Sequence, residues 1–107
     1  MANLDRIFHA LSDPTRRAVV ERLREGPATV SDLAQPFDIA LPSFLKHLTV
    51  LERAGLTASD KPGRTRRCRL ADDALVPVSA WMADQRALWE GRTDRLAAFV
   101  EKGDETP

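Results

Sequence analysis

The sequence predicts a mainly α fold with a small β-hairpin: about five helices and a two-stranded arm. Three observations carry this reading. Apolar residues recur every three or four positions in several separate stretches. Proline, glycine and capping residues punctuate those stretches at short intervals. One segment, residues 56–70, abandons the helical period and alternates about a Pro-Gly pair.

Taken in order, Asn3 is placed to cap a short first helix whose Leu4, Ile7, Phe8 and Leu11 form one stripe. In "SDPTRRAVVERLREGP", Asp13 suits an N-cap, Pro14 the first helical position, and Gly26-Pro27 a stop. Val19, Val20 and Leu23 are its core face. Thr29, with Asp32 three residues on, opens a third helix of about two turns, which Pro36 discourages from continuing. "FDIA" then leads into "LPSFLKHLTVLERAGL". There Leu41, Phe44, Leu45, Leu48, Leu51 and Gly55 fall on one side, and Ser43, Lys46, His47, Val50 and Arg53 on the other. Pro62-Gly63 turns the hairpin, whose second arm sets Arg64, Arg66, Cys68 and Leu70 against Thr65, Arg67 and Arg69. From Asp72 the chain is helical again, with Pro77 in the first turn and Asp72-Asp73 as caps. That helix closes near Lys102, so the domain expected is 1–102, with 103–107 a disordered tail. Two short helices, a tight turn, a longer helix and a basic hairpin make a winged helix-turn-helix.

Net charge is zero over the 107 residues, but its distribution is uneven. Residues 41–70 hold seven basic side chains against two acidic ones, whereas 71–107 hold four against eight. Local potential, not the total, attracts a polyanion. No apolar run nears the roughly 20 residues that span a bilayer, and "MANLDRIF" lacks the apolar core of a signal peptide. The expectation is a cytoplasmic protein without membrane contact.

The major groove, about 12 Å wide, admits one α-helix, and such a helix needs a face anchored on a core and short polar or basic side chains opposite. Residues 41–54 meet both demands. Ser43 would reach a phosphate or a base edge, Lys46 a phosphate or a guanine, His47 a phosphate, Val50 a thymine methyl, and Arg53 the backbone farther along. Lys61, Arg64, Arg66 and Arg67 of the hairpin would add sequence-independent phosphate or minor-groove contacts. The competing reading of those charges is a solvated helix face and a hairpin protected from edge pairing.

The outer helices supply a second argument. Leu4, Ile7, Phe8 and Leu11 of the first, with Val78, Trp81, Met82, Leu88, Trp89, Leu96 and Phe99 of the last, exceed what a three-helix core and a hairpin can cover. They are read as the seam of a homodimer, which would set two reading helices about 34 Å apart on a palindromic site of double-stranded DNA. The alternative folds the last helix onto its own domain.

"ALSDPTRRAVVERLREGPATVSDLA", "LPSFLKHLTVLERAGL" and "GRTRRCRL" resemble the successive blocks of the ArsR (arsenic-repressor) family, over residues 4 to about 100. The similarity extends to a branch with "PFD-x-x-LPS-x-x-KHL" and a last helix carrying Trp81, Arg86, Trp89, Arg92, Asp94 and Leu96. The resemblance implies a homodimeric transcriptional repressor reading DNA with residues 41–54 and pairing its first and last helices. Metal-sensing members carry Cys-x-Cys where Thr29 and Ser31 stand here, and others an Asp and His set on the last helix, where this chain has no histidine. His9 and His47 lie far apart, and His9 is expected to be a partly buried helix residue. No metal and no cofactor are therefore expected, and the residues name no effector.

Two other functions compete: a winged helix that binds proteins and no DNA, and a thiol-responsive repressor using Cys68, the single cysteine. An enzyme is not expected, for the chain has no glycine-rich phosphate loop, Ser-His-Asp set or paired acids in an apolar setting.

Overall fold

The computed structural model describes residues 2–61 and 63–105. The elements run α1 (Ala2–Leu11), α2 (Pro14–Leu23), β1 (Ala28–Thr29), α3 (Val30–Ala34), α4 (Leu41–Arg53), β2 (Thr57–Asp60), β3 (Arg67–Leu70) and α5 (Val76–Glu105). The five helices and the hairpin are those the periodicity predicts. The sheet is larger by one strand. β2 and β3 pair antiparallel with Ser59 opposite Cys68, and β1 pairs antiparallel on the other edge of β3 with Ala28 opposite the same cysteine. A three-stranded sheet in the order β1-β3-β2 thus replaces the two-stranded wing. Two residues between Pro27 and a helix show no alternation to read, and Thr29 serves both as strand and as the N-cap of α3.

Local chemistry explains most boundaries. Asp13 caps α2, its Oδ2 accepting from the Arg16 N–H at 3.0 Å, and Pro14 fills the first turn. Thr29 Oγ1 accepts from the Asp32 N–H at 3.1 Å. α4 closes with the Leu56 N–H on the Leu51 carbonyl and the Gly55 N–H on that of Glu52, both at 3.0 Å. Gly55 sits at φ +77 between them, the left-handed residue this capping motif requires.

Other boundaries differ from the expectation. α1 starts at Ala2, which puts Asn3 inside its first turn and not at its cap. The link from α3 to α4 is residues 35–40, longer than "FDIA". Asp72 and Asp73 lie in a turn ahead of α5, with Asp73 at φ +56, so they do not cap that helix. α5 continues to Glu105, which takes in residues 103–105 of the expected tail. Thr106, Pro107 and the Pro62 half of the hairpin turn lie outside the described residues.

The chain divides into two units, Met1–Leu75 and Val76–Pro107. In the first, Ile7, Val19, Leu33, Phe44, Leu48, Leu51, Leu56 and Cys68 are each under 2% exposed. α1 and α2 pack against α4 there, and β3 lies against α2. Burying an aliphatic or aromatic side chain of this size contributes about 1.5–3 kcal/mol, so Phe44, Leu48 and Leu51 together fix how α4 is rotated.

A Cβ added at Gly55 would meet no atom within 4 Å, which isolates the backbone term. Gly55→Ala is expected to lower stability by about 1 kcal/mol through the left-handed φ alone. Urea unfolding should show an earlier midpoint at an unchanged slope.

Candidate nucleic-acid interface

With Phe44, Leu48 and Leu51 buried, the first turns of α4 present Ser43 and Lys46 to solvent. Leu41, which its periodicity assigned to the core side, is 54% exposed beside them. It occupies the first helical position, where the stripe runs past the edge of the core. Ala40 makes no side-chain cap, so the opening N–H groups of α4 are not covered by a hydroxyl as those of α3 are. Farther along, Val50 is half-buried and Arg53 exposed. The two stand with Asp5, Arg6, His9 and Ala54 around an open cleft of about 640 Å³ between α1 and α4. The face drawn from the sequence therefore splits. Its N-terminal part is open, and its C-terminal part borders α1. His9 is exposed on that cleft, contrary to the expected partial burial.

His47 lies between the two parts and is tied down. Arg16, a buried residue of α2, donates from Nη1 to His47 Nδ1 at 3.1 Å. The same guanidinium donates from Nε to the Ala10 carbonyl at 2.7 Å and from Nη2 to that of His9 at 3.1 Å. Asp13 Oδ2 stands 3.8 Å from the imidazole. The Asp13 carboxyl is held below its ordinary value, first by the Arg16 backbone N–H and further by the positive charge of the Arg16 guanidinium, against a desolvation that raises it. Its support for the start of α2 is therefore complete above the usual carboxylate range and is lost as pH falls through the lowered value. Periodicity did not single out Arg16. Its local signal was a cationic pair placed just after the end of a helix, next to that helix's unpaired carbonyls.

On the hairpin, Lys61, Arg64 and Arg67 are exposed, and among the described residues no ion pair engages them. Arg66 is different and corrects the sequence expectation. It points inward on the face it shares with Cys68, donating from Nη2 to Glu52 Oε1 and from Nε to Ser59 Oγ at 3.1 Å. Ser59 in turn donates to Glu52 Oε1 at 2.7 Å. This three-residue network fastens the wing to α4, so two of the three guanidinium nitrogens of Arg66 are engaged in positioning the wing. Arg69 meets Asp60 at 3.8 Å in an exposed pair, an interaction of little weight.

The residues assigned to a seam separate as well. Leu4 and Ile7 are 7% and 1% exposed, so a single chain already covers them and they belong to its core. Phe8 is 41% exposed and Leu11 half-buried. On α5, Val78 is half-buried, whereas Trp81, Met82, Leu88, Trp89, Leu96 and Phe99 are all exposed, from 38% to 75%. Arg92 places its guanidinium 5.7 Å from the Trp89 ring centre, a cation–π contact.

Cys68 is 1% exposed. Burial, with Glu52 adding and Arg66 opposing, pushes its thiol above the ordinary value, which leaves it protonated and unreactive near neutrality. Thr29 is occupied as an N-cap. Among the described residues no three His, Cys, Asp or Glu side chains gather as a metal site, and no helix is long and apolar enough to cross a membrane.

Residues 11–60 match a family model described as a helix-turn-helix domain. The chain is 37% identical over 103 residues to the HTH-type transcriptional regulator Rv2034 of Mycobacterium tuberculosis, covering 95% of this chain and 94% of that one. It is 30% identical over 101 residues to the transcriptional repressor SdpR of Bacillus subtilis, covering 94% and 97%. Among solved structures, an ArsR-family transcriptional regulator superposes with a TM-score of 0.79 at 55% identity, over 82% of this chain and 97% of the other.

The wing attachment is open to direct test. Glu52→Ala removes the acceptor shared by Arg66 and Ser59, and should cost about 1.5–2 kcal/mol, the lower part of the range for hydrogen bonds to charged groups because the site is partly solvated. Amide exchange in β2 and β3 should quicken more than in α2. Uniform exchange across both regions would show that the network does not hold the wing.

Proposed function

The chain belongs to the ArsR family of winged helix-turn-helix transcriptional regulators, and from that premise we propose that it is a homodimeric repressor reading a palindromic site in double-stranded DNA. The observation that carries the reading is the division of α4. One face is locked in the core by Phe44, Leu48 and Leu51, and its first turns expose Leu41, Ser43 and Lys46. A helix held this way can enter a major groove without losing its own packing. Lys46 supplies a phosphate or guanine contact and Ser43 a phosphate or base-edge contact. Leu41, not the half-buried Val50, is the apolar group placed for a thymine methyl. Lys61, Arg64 and Arg67 add phosphate contacts from the wing.

Support for the dimer comes from α5. Eight large apolar side chains lie exposed along a single helix of 30 residues, more than a water-facing helix carries without a partner. A second copy covers them, with Phe8 of α1 the further exposed aromatic. Two-fold pairing then presents two α4 helices about one DNA turn apart. The protein-binding alternative has no comparable use for three unpaired cations on the wing. A thiol-responsive repressor would require a thiol that solvent and oxidant reach, and Cys68 is buried.

Two measurements test the proposal. Lys46→Ala should weaken binding of a selected duplex and reduce the slope of log affinity against log salt by about one unit for each phosphate no longer neutralised, as read by fluorescence anisotropy at several salt concentrations. An unchanged slope and affinity would remove α4 from the DNA-binding surface. Trp89→Ala should shift the monomer–dimer equilibrium in sedimentation towards monomer, and DNA affinity should fall with it as bivalent binding weakens.

A further inference from the structure

The Arg16–His47 contact decides which imidazole nitrogen carries the ring proton. A guanidinium has five N–H donors and no acceptor. At 3.1 Å from Arg16 Nη1, His47 Nδ1 is therefore the acceptor, and the proton resides on Nε2. The guanidinium is not free to turn away, for its Nε and Nη2 are held by the Ala10 and His9 carbonyls at the end of α1, and Arg16 is 9% exposed. Asp13 Oδ2, at 3.8 Å from Nδ1, is beyond hydrogen-bond reach and accepts from the Arg16 backbone N–H instead. The opposite edge of the ring is open. Among the described residues Nε2 has no hydrogen-bond partner, no buried side-chain nitrogen or oxygen lacks one, and the His47 side chain is 22% exposed. His47 also follows Ser43 by one helical turn, on the same face of α4.

We propose that Arg16 is a positioning residue for DNA binding: it locks His47 in the Nε2-protonated tautomer, so that α4 offers the duplex a fixed N–H donor one turn beyond Ser43. The partner is an acceptor oxygen or nitrogen of the duplex, a phosphate oxygen or the acceptor edge of a guanine. The inference rests on the reading of α4 as the DNA-contacting helix. Arg16 itself touches no nucleic acid. It acts through the imidazole, and because it also holds the last carbonyls of α1, the donor is referenced to three helices at once.

Long-range ¹H–¹⁵N correlation of the free, labelled protein reports the tautomer without any DNA. The expected pattern for His47 is a bare Nδ1 and a protonated Nε2, giving way to a mixture in Arg16→Lys. Duplex affinity at fixed salt is then compared for two variants whose thermal midpoints confirm folding. His47→Gln returns an N–H near the Nε2 position and should bind within about threefold of wild type. His47→Asn returns an acceptor for Arg16 but nothing at the Nε2 position and should bind about tenfold more weakly. A ring protonated on Nδ1 overturns the lock. Wild-type affinity in His47→Asn overturns the donor role, leaving the imidazole as a prop for Arg16. A wild-type protein that ignores duplex DNA even in dilute salt overturns the reading of α4 and the donor role with it, an outcome distinct from the loss of the donor alone.

Discussion

The burial of Phe44, Leu48 and Leu51 is the constraint from which the other features of the first unit follow. A helix of 13 residues has to place one stripe in a core, and the stripe chosen settles which side chains remain for a ligand. That core is small. α1 and α2 close on α4 from one region of the chain, and Leu56 and Cys68 come to it from the sheet. Rotating α4 by one position would expose an aromatic ring and two leucines and turn either Ser43 and His47 or Thr49 and Glu52 towards the core. The loss of burial and the desolvation of those polar side chains oppose that together.

Around this apolar grip the chain uses two of its arginines as fasteners. Arg16 joins the end of α1 to α4, and Arg66 joins the wing to α4 through Glu52 and Ser59. Both sit where a carbonyl, a carboxylate or an imidazole is already partly withdrawn from water, so each hydrogen bond is worth more than its counterpart at the surface. The cations left over, Lys46, Lys61, Arg64 and Arg67, are exposed on α4 and the wing. Positive charge in the central segment thus divides into a part that fastens elements together and a part left in solvent, the part that the proposed function uses. A count of basic residues cannot separate them.

α5 follows a different logic. The exposed Met82, Leu88, Leu96 and Phe99 contribute little to a single chain, since apolar area gains from association only when it leaves water. On the proposed reading, its length and its exposed apolar residues are what a second copy would cover. The chain divides after Leu75, and α5 falls in the second of its two units.

The sequence by itself determined the elements and their order. Helical period, the Asp13-Pro14 start, the Thr29 cap and the alternation around Cys68 are local signals, and each produced the element expected of it. It also set Ser43 and Lys46 opposite the core stripe of α4 and Arg67 opposite Cys68, because a period alone assigns a face. Tertiary structure decided what no period encodes. Leu4 and Ile7 went to the core and not to a seam, Leu41 was left in solvent, and β1 joined the sheet. Arg16 and Arg66 were drawn inward by partners 31 and 14 residues away. Those outcomes depend on which surfaces meet after the chain closes on itself, and on the free energy of pairing a buried charge, quantities that belong to the assembled core and not to any stretch of residues read alone.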